Sequence, residues 1–204
     1  MTNKLLFIAL LMFITAGCGS NKTVLKKYYL IEPSSATEIT VAEQTADVLC
    51  EVADVMVAPA FATTQIALRD ESHQIQYFGH HEWAVRPQET FLHHILNHLS
   101  DRETFKRVAN RFWHTPATYI LNTQIHHLEV LQKEKAFYAH LNIEFTLIET
   151  KTDRIILKHK ADKEQRLEER DLNLMAQAIS ELLSKELVTL TQLIEAAISD
   201  YPTE

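Results

Sequence analysis

The sequence predicts an α+β domain: a mostly antiparallel sheet with a central helix and a long C-terminal helix packed on one face. Three observations carry that reading. Over 137–147, Phe137, Ala139, Leu141, Ile143, Phe145 and Leu147 alternate with Tyr138, His140, Asn142, Glu144 and Thr146. Strict period two is the mark of a strand with one buried and one wet face. Over 171–199, Leu172, Met175, Ile179, Leu182, Leu183, Leu190 and Ile194 repeat at helical spacing, which at 1.5 Å per residue makes a helix of about 42 Å. Finally, strands come first, one helix follows, then a meander and a closing helix; this order fits helices gathered on one face of a sheet.

In chain order, 28–31 reads as a first strand, stopped by Pro33 and a Ser/Thr-containing loop through Thr40. A second strand is expected over 47–58, ended by Pro59, which has no N–H for the ladder. Short strands at 65–68 and 74–78, separated by Arg69-Asp70-Glu71-Ser72, form a small hairpin. Pro87 opens a helix, because its fixed φ suits the first helical position and its missing N–H is no loss there. Phe91, Leu92, Ile95, Leu96 and Leu99 form the apolar stripe of that helix. Strands at 119–130, 136–149 and 154–160 then make an antiparallel meander, turning at 132–135 and at Lys151-Thr152-Asp153. The polar side of the middle strand, with His140, Asn142 and Glu144, is expected to stay wet or to meet a partner rather than to form a second dry core.

The N-terminus supplies an address. Lys4, the apolar run 5–14 and Thr15-Ala16-Gly17 lead into Cys18. Ten helical residues cover about half of a ~30 Å hydrocarbon core, so the run reads as the apolar stretch of a signal peptide rather than a membrane span. Small residues before Cys18 fit a lipoprotein signal, cut so that the Cys18 thiol carries diacylglycerol and the new N-terminus a fatty acyl chain such as palmitate. Gly19, in place of an Asp that would retain the chain at the inner membrane, points to the periplasmic face of the outer membrane. The chain thus divides into a signal at 1–17, a lipidated tether at 18–27 and one periplasmic domain at 28–199. The tether reaches at most about 30 Å.

Composition narrows the function. Removing the signal leaves 187 residues, enough for one core, with a net charge of about −8 once Lys4 is gone. Such a charge repels nucleic acid. Three glycines in the whole chain, Gly17, Gly19 and Gly79, leave no phosphate-cradling loop and no cofactor class with a site. With Cys18 acylated, Cys50 has no intramolecular partner; its place among Val48, Val52 and Met56 reads as core.

Eleven histidines invite a metal reading. His94 and His98 have the i, i+4 spacing of helix-borne ligands, but Ile95 stands where a metalloprotease motif needs Glu. The adjacent His126 and His127 are expected on opposite faces of a strand. No metal site is therefore predicted. No Gly-x-Ser-x-Gly elbow occurs, and Glu168-Glu169 read as a solvated run at a helix entry. The chain is not expected to be an enzyme.

The order of the pieces resembles a known family. The lipidation signal, the Tyr28-Tyr29-Leu30 strand, Val55-Met56-Val57-Ala58-Pro59, a hairpin running into Trp83-Ala84, the helix after it, Tyr119-Ile120-Leu121 with its meander and the long last helix look like the ABC-type transport auxiliary lipoproteins. These include the lipoproteins of paraquat-inducible operons. The family pattern tends to follow Trp-Ala directly with a pair ending in Pro, whereas Val85-Arg86 intervene here before Pro87. The resemblance implies a non-enzymatic component of an envelope lipid transport system. Its partners would be an inner-membrane ABC transporter and a periplasmic MCE-domain protein. An adaptor for a ring-shaped partner could itself form a homo-oligomer. Trp83 and Arg86 are the candidate partner-binding residues, with a core-capping indole as the other reading of Trp83. The rival to the transport role is an adaptor for another cell-wall or outer-membrane assembly.

Overall fold

The computed structural model describes residues 24–33, 46–102 and 104–200. The signal at 1–17, Cys18, the tether before Val24 and the loop expected to run to Thr40 lie wholly or largely outside them. Nine strands and two helices are described: β1 (Lys27–Tyr29), β2 (Ala46–Val52), β3 (Met56–Val57), β4 (Gln65–Arg69), β5 (Ile75–Trp83), α1 (Pro87–Asp101), β6 (Phe105–Ala109), β7 (Tyr119–Lys133), β8 (Ala136–Glu149), β9 (Arg154–Leu167) and α2 (Leu172–Asp200). The fold is α+β with a mixed sheet, and both helices lie on one face of it.

Strand β7 organises the sheet. One of its edges carries β8 antiparallel along its whole length, from Tyr119 opposite Glu149 to Lys133 opposite Ala136. Its other edge is shared by three short parallel neighbours in turn: β2 beside 119–121, β3 beside 124–125 and β4 beside 129–131. The two long ladders, β7–β8 and β8–β9, are antiparallel. Beyond β4 come β5, antiparallel to it, and β1, parallel to β5.

The strand expected over 47–58 is in fact two, because the chain bends at Ala53–Val55 to stay on β7: Ala53 N–H donates to Leu121 O (3.0 Å) and Ala58 N–H to Ile125 O (2.9 Å). Strand β6 was not expected. Its sequence, Phe-Lys-Arg-Val-Ala, is short and has two adjacent charges; pairing with β2 at the sheet edge decides its state. Strand β9 runs past 160 to Leu167 through a charged stretch, Ala161-Asp-Lys-Glu-Gln-Arg-Leu, which suits a strand partnered on one side only.

The core lies between the sheet and the helices. Phe91, Ile95 and Leu99 of α1 are fully buried, as are Met175, Ile179, Leu183, Leu190 and Ile194 of α2, against Leu141, Ile143, Phe145 and Leu147 of β8. Each such side chain contributes about 1.5–3 kcal/mol by leaving water. Asp171 caps α2, its Oδ1 accepting from Leu174 N at 3.3 Å. The helices meet through His98 Nε2 and Thr191 Oγ1 at 3.1 Å. Cys50 is fully buried, and burial pushes its thiol up to about 12. None of the helices among the described residues is long and apolar enough to cross a membrane.

Candidate functional site

The polar side of β8 departs from the expectation. His140 and Asn142 are both only 4 % exposed, so this part of the second face is covered rather than wet, while Tyr138 on one side and Glu144 and Thr146 on the other keep partial exposure. The cover is the segment after β3. Phe61 is buried with its ring 5.6 Å from that of His127, and His127 in turn stacks on His140 at 5.0 Å. Tyr77 on β5 ties the segment down by donating to Ala60 O at 3.0 Å.

From under this cover a chain of alternating charge runs across four strands and out to the exposed Asp162. Arg69 on β4 donates from Nε and Nη2 to the Glu129 carboxylate on β7, at 2.9 Å and 2.5 Å. Glu129 is fully buried. Its Oε1 also accepts from His140 Nδ1 at 2.9 Å, and His140 Nε2 donates to Asp162 Oδ1 on β9 at 2.8 Å. Glu129 and His140 are direct register partners.

The electrostatics follow from this geometry. Burial alone would lower the His140 pKa, but hydrogen bonds to Glu129 and Asp162 outweigh it and raise the value, which favours the charged ring. Burial likewise pushes the Glu129 carboxyl up, and the bonds from His140 and Arg69 hold it below its ordinary value instead. Asp162 is lowered, first by its bond from His140. His127, stacked on His140, is lowered mainly by burial. The four groups close on one another, and carboxylate oxygens of Glu129 and Asp162 engage both His140 nitrogens.

A β-bulge between Ile125 and His127 brings Glu129 onto this face. It also corrects the reading of the adjacent histidines. His126 Nε2 lies 3.9 Å from Glu144 Oε2 while His127 stacks on His140, so both side chains share the polar face. The signal was present in the sequence: apolar Tyr119, Leu121 and Ile125 keep period two, then Leu128 and Val130 resume after a step of three. On α1 the i, i+4 pair diverges. His94 Nε2 bonds to Ile31 O at 2.9 Å and His98 to Thr191, and burial lowers both pKa values.

Of the expected contact residues, Trp83 is a core side chain, 3 % exposed, at the end of β5 beside Tyr29 of β1. This corrects its candidacy as a docking residue, because a buried indole offers a partner no surface. Arg86 is exposed at the N-cap of α1 without a side-chain capping bond. A groove of about 480 Å³ lies elsewhere, between β1 and the start of α2. Tyr28, Leu30, Gln177 and Glu181 line it, and Ser180 Oγ at its floor accepts from Glu32 N at 2.9 Å. Tyr28 and Leu30 are more than half exposed there. Sequence reasoning missed this groove, since it is formed by pairing distant segments.

Comparison with known proteins places this architecture. The crystal structure of a Xanthomonas campestris protein of the family DUF330 superposes with a TM-score of 0.69 at 15% identity, covering 85% of this chain and 99% of that one. A second crystal structure, of an uncharacterised protein, gives 0.66 at 14% identity, covering 84% and 99%. At such identities the likeness is one of fold. No curated protein matches the chain. The sequence model of the ABC-type transport auxiliary lipoprotein component matches residues 28–189, from the first strand through most of α2. The chain therefore belongs to the family of ABC-type transport auxiliary lipoproteins.

Proposed function

We propose that the chain is a non-enzymatic auxiliary component of an intermembrane lipid transport system, held at the periplasmic face of the outer membrane by acylated Cys18. Its partners are a periplasmic MCE-domain protein and, through it, an inner-membrane ABC transporter. The family match over 28–189 is the observation that carries this reading. The domain docks the end of the MCE assembly and helps phospholipid pass between that assembly and the bilayer. The charged cluster on the polar face suits this reading, since its groups bond one another across β4, β7, β8 and β9 and serve to fix strand register.

Purification of the native-level, tagged chain from detergent-solubilised envelopes tests the proposal. An MCE-domain protein in constant ratio to the chain, together with palmitate label lost on Cys18→Ser, is the expected result. Recovery of cell-wall enzymes with no MCE or ABC component contradicts it.

A further inference from the structure

We propose that the loop between β6 and β7 is a docking tip that seats Trp113 in an apolar pocket on an acidic face of the partner protein. The Trp113 side chain is 78 % exposed, in a chain whose other tryptophan is 3 % exposed. An indole left in water is an anchor that a partner's pocket can fill. Its neighbours define the chemistry of the cover. The Arg111 guanidinium lies over the Trp113 ring at 5.5 Å and that of Arg107 over Phe112 at 5.3 Å. Over 104–118 the sequence carries Lys106, Arg107 and Arg111 and no Asp or Glu, although the chain as a whole is at −7. Trp and Arg are the residues that dominate interface hot spots, the ring filling a pocket while the guanidinium takes a carboxylate. Set against the two carboxylates that bond the start of the loop, Glu51 and Asp54, the three cations leave a surplus of one positive charge, so an acidic partner is attracted here and repelled by the net-negative remainder of the chain.

The tip is also held ready. Phe112 N–H donates to Glu51 Oε2 at 3.2 Å, and Asn110 Nδ2 donates to Val52 O at 2.9 Å and Asp54 Oδ1 at 3.1 Å. These bonds fix the start of the loop on the end of β2, so little conformational freedom is lost on binding.

Position selects a protein over a bilayer. Strand β6 ends with Ala109 beside Glu51, which lies beside Ile120 at the start of β7. The chain enters the fold at Val24, ahead of β1; β1 runs beside β5, and β5 beside β4, which pairs with β7 at 129–131 near its far end. Strand β1 is level with Gln65, two residues before the β4–β7 pairing, so about seven residues of strand at ~3.3 Å each put the tip some 23 Å from β1 along the sheet. The tip thus lies toward the opposite end of the sheet from the point where the tethered chain enters, the end placed to meet a partner rather than the anchoring bilayer. Naming the partner as the MCE-domain protein rests on the function proposed above.

The experiment measures binding of the full lipidated chain, in detergent micelles, to the purified periplasmic region of the MCE-domain protein. Trp113→Ala and Arg111→Glu are each compared with the unaltered chain. Because Trp83 is buried in the core, a blue shift of tryptophan emission on binding reports Trp113. The proposal predicts that shift, a loss of affinity of about tenfold or more in each variant, unchanged thermal unfolding, and partial retention of affinity in Trp113→Phe. Equal affinity in both variants overturns the docking tip while leaving the transport reading intact. A shift produced by vesicles of phosphatidylethanolamine and phosphatidylglycerol, and not by the partner, also overturns it. Failure of the unaltered chain to bind contradicts the transport reading itself, and with it the named occupant of this tip.

Discussion

Glu129 and His140 face each other across the β7–β8 ladder, joined by a 2.9 Å bond from His140 Nδ1 to Glu129 Oε1. Each is the other's compensation for burial. Glu129 has no contact with water, and Arg69 alone would leave its carboxylate without the bond that His140 gives. Such a pair adds little over an apolar replacement of both members, yet costs heavily when one member is removed. The pair also specifies register, because a slip of one residue would send Glu129 into the apolar core between sheet and helices.

His140→Leu is accordingly expected to destabilise the fold by about 3 kcal/mol at pH 6, leaving a buried carboxylate one donor short. The difference between the two proteins carries a pH signature. The folded-state pKa of His140 lies above its ordinary 6.5, so its stabilisation is complete below about pH 6.5 and is lost as pH rises through the raised value. Glu129 and Asp162 are lowered, so their share is present above their ordinary values and lost as pH falls through the depressed ones. His94, His98 and His127 are lowered and pull the other way near pH 6.5, which is why the difference is informative. Urea unfolding of both proteins from pH 4 to 9 should show the gap widest at about pH 4.5–6.5 and narrowing above.

Glu134→Gly should stabilise the protein by about 1 kcal/mol. Glu134, in the β7–β8 turn, has φ of 53°, a left-handed conformation that penalises a Cβ and that glycine adopts freely. Thermal unfolding of the two proteins side by side measures the gain; a lower midpoint for the glycine variant would contradict it.

The two tryptophans should separate cleanly under substitution. Trp83→Ala removes a buried ring and is expected to cost about 3–5 kcal/mol. Trp113→Ala alters an exposed side chain and should leave stability within about 0.5 kcal/mol. Chemical denaturation with circular dichroism as the readout distinguishes them.

In a Cys18→Ser background, Cys50 is the sole thiol. Full burial and a pKa pushed up to about 12 leave almost no thiolate at neutral pH. A disulfide exchange reagent should therefore label it only as fast as the protein opens, with rapid labelling in 6 M guanidinium chloride. Fast labelling of the native protein would show Cys50 to be accessible.

Much of this fold was legible because its long elements obey one period each. Strand β8 alternates without interruption and α2 carries an unbroken stripe, so both were placed to within a residue or two. What escaped depends on partners distant in sequence. The short strand β6 exists through β2, and the bend at Ala53–Val55 exists because both halves follow β7. His140 and Asn142 looked like wet-face residues, since alternation assigns a side but says nothing of what covers it. Phe61, arriving from another segment, provides the cover. Trp113 carried no periodic signal at all; only its exposure in the folded chain sets it apart.

The central claim is that this chain works against an MCE-domain protein, and in-cell cross-linking of the native-level chain tests it most directly. A photo-reactive residue placed at His114, next to the exposed indole, should yield a cross-linked product containing an MCE-domain protein, identified by mass spectrometry. Reproducible cross-links to cell-wall enzymes or another outer-membrane assembly instead, with no MCE or ABC component at this or any other exposed position, would contradict the account.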